Sequence, residues 1–461
     1  MGIAYSVTPK TVVRTGYGIF FTQFTQMFYP GWGGGVAQDG FYAIPSFGST
    51  NNGLTAAFLL QNGLPQNFAR PPFIDPSYLN GQGGPNYRPF DSNRRPYAQP
   101  WNLTIEHEFT NNFYFNVGYV GNKGTRLPSQ TLPINAISPQ YLSMGQKLYD
   151  QFGPNDMSVT ASPPPTPAGP VKCRLARPRL LRPSRPYCNL LYGLTENAGN
   201  STYHAFQAKV EKRFSNGLWM LTSYTSSKTI DNTDNTQVTA TLGSVHGVIS
   251  PFQRERNKAL AVDDVPQVLS QSFIYDLPFG KGKRWGANLP KFVNGLLGGW
   301  SLSSVFRISS GVPLFFRSSY CNVPGQFVSY CIPGILPGAN PWAQSKSNFN
   351  PDLPLFNQSA FENYNNFNFY AGVGPRVSNL RGFGYHNHDV GLIKDIRITE
   401  RLNLQLRGEF FNIWNWHTFN CSTQCFGAGA FGNSVGDPTF GMWNGSVTSP
   451  RNIQVVGRLT F

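Results

Sequence analysis

The sequence of 461 residues has little charge and no long uninterrupted apolar segment. Asp, Glu, Lys and Arg together make up only 13% of it. No stretch approaches the roughly 18 consecutive apolar residues of a membrane-spanning helix. The best candidate, around residues 296–308, is interrupted by Gly, Ser and Arg. A membrane protein with this sequence therefore has to be a closed β-barrel, which satisfies its backbone hydrogen bonds between strands.

Several functional signals are also missing. The first residues, MGIAYSVTPKTVVRTGYGIFF, lack the charged, apolar and small-residue regions of a signal peptide. Either the natural start lies upstream or the membrane interpretation is wrong. No GxSxG, HExxH or GxxxxGK[ST] motif and no convincing carboxylate pair is present, so we predict neither an enzyme nor a cofactor.

The net charge of +15 raises the question of nucleic-acid binding. The basic residues are scattered, however, and their one dense run, over 174–185, is interleaved with proline. No recognition module accompanies the charge, so we predict no nucleic-acid partner.

Glycine, proline and aromatic residues are abundant, with 48 Gly, 37 Pro, 37 Phe and 21 Tyr. This composition favours an all-β protein with many turns. Alternation of apolar and polar residues marks its strands, because successive side chains of a strand point to opposite faces. About ten strands are predicted, at residues 12–21, 101–109, 113–121, 203–214, 218–228, 266–277, 300–309, 386–397, 402–412 and 453–461.

Short and long connections alternate between these strands. Tight polar links follow the strands ending at residues 109, 214 and 397, and a basic link joins 277 to 300. The long segments are 22–100, 122–202, 229–265, 310–385 and 413–450. Outer-membrane barrels alternate short periplasmic turns with long extracellular loops in this way. The sequence therefore predicts antiparallel transmembrane β-barrel strands in the cell outer membrane.

The six cysteines all lie in predicted long loops, where they are close in sequence in pairs. The pairs are Cys173 with Cys188, Cys321 with Cys331, and Cys421 with Cys425. Local disulfides formed in an oxidising compartment are the preferred interpretation, although other pairings and a thiolate metal site stay open.

An ordered series of segments resembles the TonB-dependent outer-membrane receptors of the Oar-like group. The segments are VVRTGYGIFF, PYAQPWNLTIEHEF, FNVGYVGNKGTRLP, NSTYHAFQAKVEKRFSNGLWMLTSYTSSKTID, IYDLPFGKGKRW, GGWSLSSVFRISSGVPL and LQLRGEFFNIWNWHTFN. The resemblance implies that residues 1–461 are the C-terminal part of a barrel of about 22 strands. It also implies a plug domain, which TonB pulls during transport and which does not precede Met1, so we expect a fragment.

Three sets of site residues follow from these patterns. The set expected to face the barrel lumen is Lys209, Glu211, Arg407, Glu409 and Arg458, whose alternative role is a merely solvated wall. The candidate ligand-contacting aromatics of the outer loops are Trp32, Tyr42, Trp342, Tyr364 and Tyr370. Packing within the loops and a position at the lipid headgroup belt are the alternative explanations. Phe461, with the apolar face of the last strand, resembles the signal read by the barrel-assembly machinery.

His386, His388 and Asp389 form an HxHD pattern. Residues two apart share a face of a strand, so both imidazoles could meet one metal ion. No third ligand is evident, and polar residues at a loop–strand junction are the simpler explanation.

The predicted function is energised uptake of a small-molecule, glycan or peptide ligand through the outer membrane. Siderophore, oligosaccharide, peptide and cobalamin all stay open as ligands. The alternative is a surface adhesion or structural protein that uses the barrel as an anchor in the outer-membrane lipid.

Overall fold

The structure is a computed structural model in which one large antiparallel sheet carries a layer of folded loops. It describes residues 1–21, 47, 55–66, 86–87, 94–129, 136–149, 192–193, 196–233, 252, 254–318, 331–362, 372, 374–399, 401–419, 431–443, 445 and 447–461. Nine of the predicted positions in the outer loops lie outside these ranges: Trp32, Tyr42, Tyr364, Tyr370, Cys173, Cys188, Cys321, Cys421 and Cys425.

Seventeen strands are found in the described part of the chain, six of them only two residues long. They are β1 (Gly2–Thr8), β2 (Thr11–Tyr17), β3 (Phe20–Phe21), β4 (Asn86–Tyr87), β5 (Tyr97–Thr110), β6 (Phe113–Ser129), β7 (Tyr192–Gly193), β8 (Glu196–Ser215), β9 (Leu218–Asp231), β10 (Ala259–Leu260), β11 (Gln267–Asp276), β12 (Trp300–Ser309), β13 (Arg317–Ser318), β14 (Tyr385–Arg397), β15 (Asn403–Phe411), β16 (Ser434–Val435) and β17 (Asn452–Thr460).

The large sheet has 13 strands, and eleven of them follow one another in the order β1-β2-β5-β6-β8-β9-β11-β12-β14-β15-β17. Strand β10 also pairs with β9, and β3 with β5. Each neighbour on this path is antiparallel to the next. Within the described residues the sheet is not closed, since β1 and β17 form its two edges. The prediction of an antiparallel all-β fold is confirmed.

The three largest differences from the predicted strand boundaries concern β1, β6 and β8. No strand was predicted over residues 2–8, yet these residues form β1, which pairs with β2 through a tight turn. Strand β6 continues to Ser129 and strand β8 begins at Glu196, so both reach into a segment predicted to be loop. These extensions contain Gly, Asn, Lys and Thr. Neither of their faces has to be apolar, so the alternation of apolar and polar residues that predicts a strand is absent there.

The register sorts the side chains of the sheet onto two different faces. We call the face that contains Lys209 and Arg407 the polar face, and the opposite one, which contains Phe206 and Leu406, the apolar face. All carboxylates of the long strands whose side chains are described lie on the polar face: Glu106, Glu108, Glu211, Asp231, Asp276, Asp389, Asp395 and Glu409. Among the side chains that the structure describes, the charged groups on the apolar face are basic and lie towards the strand ends.

The apolar face is a surface rather than an interior. Leu103, Phe206, Ile453 and Val455 lie on it and are all exposed. In the described part of the long strands, Ala205 is the one buried apolar residue, and it belongs to the polar face. An extended apolar band of this kind needs a nonaqueous environment, as the outward face of a membrane barrel does.

Two-residue turns close the short links at one end of the sheet. In the link from β8 to β9, Asn216 and Gly217 have φ angles of 51° and 80°, the left-handed values of a tight hairpin turn. The links from β1 to β2 and from β5 to β6 are equally short. The five segments predicted as long loops all connect strands at the other end, whereas the link from β11 to β12, residues 277–299, lies at the same end as the short turns.

Helices are short and belong to the connections. The α-helix α1 (Lys291–Leu297) lies in the link from β11 to β12. The 3-10 helices are Leu60–Asn62, Pro139–Tyr149, Arg254–Asn257, Lys346–Asn348 and Gln358–Ala360. None of the helices in the described part of the chain has the length and hydropathy required of a membrane-spanning helix.

The main apolar core lies in the long connections and not in the sheet. We call residues 311–318, 331–362, 374–384 and 431–443 the loop layer. Its core consists of Leu314, Phe316, Leu355, Phe356, Ala360, Phe361, Phe431, Val435 and Phe440. A smaller cluster of Val262, Phe315 and Val377 lies beside it. Segments predicted only as long loops thus have a packed interior of their own.

Candidate functional site: the polar face and the loop layer at its mouth

The five residues predicted to face the lumen all lie on the polar face. Lys209 pairs with Glu211 at 3.0 Å on β8, and Arg407 with Glu409 at 3.7 Å on β15. Arg458 is opposite Gln405 in the register of β15 and β17. The side chains of these ion pairs are 27–43% exposed, so solvent screens them and each pair contributes at most about 1 kcal/mol to stability. Their geometry is that of a solvated, charged wall.

The wall extends across the neighbouring strands. Gln405 donates to the Asp395 carboxylate at 2.9 Å, and Arg14 pairs with Glu106 at 3.1 Å. Serine and threonine occupy the polar face of the central strands β9, β11 and β12, for example at Ser223, Ser270 and Ser303. The polar face therefore offers many donors and acceptors along its whole width.

A buried ion pair attaches the loop layer to the top of this wall. The Arg376 side chain is 0% exposed, and its guanidinium donates to the carboxylate of Asp231, the last residue of β9. Its Nε donates to the backbone oxygen of Asn257 at 3.0 Å. Because Asp231 belongs to the polar face, the loop layer is anchored over that face and not over the apolar one.

A second Arg–Asp pair lies beside the first. The guanidinium of Arg381 donates to the fully buried carboxylate of Asp264, to the Asp264 backbone oxygen at 2.7 Å and to that of Gly311 at 3.1 Å. The other carboxylate oxygen of Asp264 accepts from the backbone N–H of Thr229 at 2.6 Å. Charged groups that are hydrogen-bonded on both sides form strong, directional contacts.

Sequence reasoning missed both pairs. Asp231 and Arg376 are 145 residues apart, and neither lies in a motif of known spacing. Asp264 and Arg381 are separated by 117 residues. No local pattern brings such residues together, so only the topology of the sheet reveals them.

Trp342 is the predicted ligand-contacting residue that the structure describes. It lies partly buried against the core of the loop layer, 5.3 Å from Phe356 between ring centroids. The Lys346 ammonium lies 4.6 Å from the centre of its ring and also donates to the backbone oxygen of Gly382 at 3.3 Å. Two sides of the indole are thus occupied by protein groups.

Lys346 and Asp437 are perturbed titratable groups of the loop layer. Burial, and then the positive charge of Arg381, lower the pKa of the Lys346 ammonium from its usual value. Hydrogen bonds from the Thr439 hydroxyl at 2.6 Å and its N–H at 2.8 Å lower the pKa of the Asp437 carboxyl. The surroundings therefore disfavour the charged form of Lys346 and favour the charged form of Asp437.

The HxHD pattern is distributed over both faces of β14. His386 and His388 share the apolar face, but His388 contacts the Ser304 hydroxyl and the Trp414 N–H, both at 2.9 Å. Asp389, on the polar face, accepts from Asn387 and from the backbone of residue 412. Among the described residues no three potential ligands are grouped for a metal ion. The two histidines belong instead to an aromatic cluster with Trp414 and Trp416.

Two further predictions are only partly visible. Cys331 is disulfide-bonded and packs with Ile137 and Leu148, but its partner lies outside the described residues, so the pairing stays a prediction. Phe461 follows β17 and is 95% exposed, beside the exposed apolar residues of that strand. Its role in assembly stays a prediction as well.

These features define a class of protein. A wide antiparallel sheet with an exposed apolar face, a charged opposite face and all long loops at one end is the architecture of an outer-membrane β-barrel. The chain belongs to the outer membrane beta barrel domain family, whose family model matches residues 1–454. The protein is therefore located in the outer membrane.

Comparisons with solved structures found similar chains among outer-membrane receptors. One is the pyoverdine receptor FpvA from Pseudomonas aeruginosa PAO1, with 9% identity, a TM-score of 0.38 and coverage of 100% of this chain and 35% of that one. The ferric-catecholate import receptor Fiu from E. coli K12 has 9% identity, a TM-score of 0.38 and coverage of 100% and 34%. The outer membrane transporter YddB from Escherichia coli has 8% identity, a TM-score of 0.41 and coverage of 100% of this chain and 40% of that one.

The chain thus spans about a third of the length of these receptors. A comparison of the sequence with curated proteins found no significant match.

Proposed function

We propose that this chain is the barrel part of a TonB-dependent outer-membrane receptor of the Oar-like group, and that the receptor imports a nutrient. The observation that carries the proposal is the attachment of a folded loop layer to the polar face through Arg376 and Arg381. Loops held over the lumen can bind a solute at the cell surface and release it into the barrel. The ordered sequence resemblance supports the same conclusion. The proposal assigns the barrel no catalytic role.

The polar face has two roles in this proposal. Lys209, Glu211, Arg407, Glu409 and Arg458 form the wall against which a plug domain packs. The same charges give a solute a hydrated route once the plug has moved, since exposed ion pairs exchange partners at little cost. TonB acts on the plug, so it is a partner of the receptor and not of the barrel wall.

The loop layer supplies the ligand site in this proposal. Trp342 contributes one edge of its indole, because Phe356 and Lys346 occupy other sides of the ring. The remaining predicted aromatics, Trp32, Tyr42, Tyr364 and Tyr370, are proposed as further contacts. Aromatic faces flanked by amides suit a glycan, a peptide or a siderophore.

Uptake by the native strain and by a deletion strain tests the proposal. Growth should be compared on iron–siderophore, oligosaccharide, peptide and cobalamin as the limiting nutrient. We expect the deletion strain to lose growth on one of these four classes, and the loss should be reproduced by collapsing the proton-motive force in the native strain. The gene carrying R376M and D231N should restore less growth than the native gene.

Growth equal to that of the native strain on all four nutrients, together with a loss of surface attachment, would overturn the proposal. That result would favour an adhesion or structural protein anchored by the barrel. An immunoblot of fractionated cells with an antibody against residues 386–461 adds a second criterion. The receptor proposal requires a band in the outer membrane that is well above the 51.1 kDa of this chain.

A further inference from the structure

The link from β11 to β12, residues 277–299, has an unusual composition. Its sequence, LPFGKGKRWGANLPKFVNGLLGG, contains no carboxylate. It contains four basic residues, Lys281, Lys283, Arg284 and Lys291. Only Lys283 has an acidic partner in the structure, Asp276 at 3.7 Å, among the pairs found in the described residues. The link therefore carries a concentrated positive charge at the short-link end of the sheet.

The same link exposes large apolar side chains. Phe292 is 80% exposed, Leu296 59%, Leu297 53% and Trp285 52%. Three of them belong to α1, whose seven residues contain no buried one. Exposed aromatic and aliphatic residues next to basic ones are typical of segments that lie in a membrane interface. A water-facing turn has no physical reason to keep this combination.

Contacts with the sheet fix where the link lies. The Trp300 N–H donates to the backbone oxygen of Leu296 at 2.8 Å, and the Lys394 ammonium donates to the backbone oxygen of Gly298. The Lys394 ammonium also lies 5.2 Å from the centre of the Trp300 ring. Trp300 and Lys394 are both on the apolar face. The C-terminal end of α1 is thus held at the edge of the lipid-facing surface, with its carbonyl groups neutralised by a cation.

We propose that residues 277–299 bind anionic phospholipid in the inner leaflet of the outer membrane. The short-link end of an outer-membrane barrel is periplasmic, so α1 lies at the level of that leaflet. Phe292, Leu296 and Leu297 insert among the acyl chains, and Lys281 and Lys291 contact the headgroup phosphates. Continuity of this surface with the apolar face favours a lipid over a soluble partner.

Photocross-linking in native membranes tests the insertion. A benzoylphenylalanine residue replaces Phe292 in the full-length protein, and Leu60, which is 86% exposed in a long connection, is the matched control position. After irradiation, mass spectrometry should find phospholipid attached at position 292 and none at position 60. Attachment of a protein at position 292, or no product there, would overturn the proposal.

Lipid selectivity tests the charge. The purified full-length protein is equilibrated with detergent micelles containing phosphatidylglycerol or phosphatidylcholine, and native mass spectrometry measures the lipid retained. We expect retention of phosphatidylglycerol to fall in K281Q/K291Q by about fivefold for each lysine removed. The control K147Q/K258Q removes two exposed lysines from the long-loop end and should retain phosphatidylglycerol as the native protein does.

Equal retention of both lipids by the native protein, or an equal loss in both double variants, would contradict a specific phosphate contact. Inorganic phosphate at millimolar concentration separates the two sources of phosphate. If the lipid is the ligand, free phosphate should displace little of it. Neither experiment depends on transport, so a failed uptake test leaves this proposal to be judged on its own.

Discussion

The guanidinium of Arg376 is completely buried and donates to the carboxylate of Asp231, which ends β9 145 residues earlier in the chain. The contact joins the loop layer to the polar face of the sheet. A buried charge is tolerated only with a partner, since an unpaired one keeps its desolvation cost. The position of the loop layer over the polar face therefore depends on this pair.

Breaking the pair from one side should loosen the loop layer. We expect R376M to destabilise it by about 3–5 kcal/mol, because the buried contact between the Arg376 guanidinium and the Asp231 carboxylate is then lost. The rate of proteolytic cleavage within residues 310–384 of the full-length protein reports this opening. The double variant R376M/D231N should be cleaved more slowly than R376M alone.

The matched control for that prediction is R14M, which removes the exposed partner of Glu106. Its effect should stay within about 1 kcal/mol, as for other exposed pairs. Cleavage of R376M no faster than of R14M would mean that the buried pair does not hold the loop layer.

The two faces of the sheet should respond oppositely to a new charge. Ala208 lies on the apolar face and its neighbour Gln207 on the polar face of β8. We expect A208K to reduce the stability of the folded barrel by about 2–4 kcal/mol near the middle of the membrane, and Q207K to change it little. Folding titrations into lipid vesicles measure the difference. Similar losses in both variants would contradict the assignment of the faces.

The lowered pKa of Lys346 gives the loop layer a pH dependence with a defined sign. In the unfolded state the ammonium titrates near its usual 10.5, and in the folded state it titrates lower. Between the two values the unfolded state binds more protons, so stability should rise with pH through that window. Below it, the cost of burying the charge is fully present.

Replacing this lysine should therefore remove the dependence. We expect K346M to flatten the pH profile of loop-layer stability below pH 10.5 and to leave stability at neutral pH equal or higher. Thermal melts followed by tryptophan fluorescence provide the profile. K258M, at an exposed position, should keep the native slope. A steeper slope in K346M would reverse the sign of the effect.

Gly121 provides a test of close packing on the apolar face. A Cβ atom added there would lie 2.2 Å from the Trp101 ring, which covers the glycine. We expect G121A to cost about 1–3 kcal/mol, because the indole has to move. In G457A the added Cβ meets only Leu406 at 3.8 Å, an ordinary contact. Its stability should match that of the native protein, and equal losses in the two variants would argue against the packing explanation.

Much of the sheet follows from local patterns. Alternation in segments such as 402–412 and 453–461 predicts both the strand and its two faces, because side-chain direction depends only on the backbone period. Lys209, Glu211, Arg407, Glu409 and Arg458 share one face of the sheet for this reason, and the orientation of that face towards a lumen stays a prediction. Strand β1 escaped prediction, since seven residues are too few for a clear period beside a short turn.

The loop layer could not be predicted in the same way. Its core residues, such as Phe316 and Phe440, come from segments more than a hundred residues apart and have no repeating period. Trp342 was predicted to contact a ligand because of the composition of its loop. Its packing on Phe356 follows from the assembly of the loop-layer core from distant segments, which composition does not indicate. The ligand, the plug and the disulfide pairing stay predictions.

The sequence by itself determined the β class, the alternation of short and long links, and the sorting of charge onto one face. Each of these properties depends on residues that are close together in the sequence, so a local pattern is enough to predict it. Tertiary structure alone decided which loops pack together, and which arginine meets Asp231 or Asp264. Those choices depend on strand order and register, which bring distant residues within hydrogen-bonding distance, and no local rule specifies them.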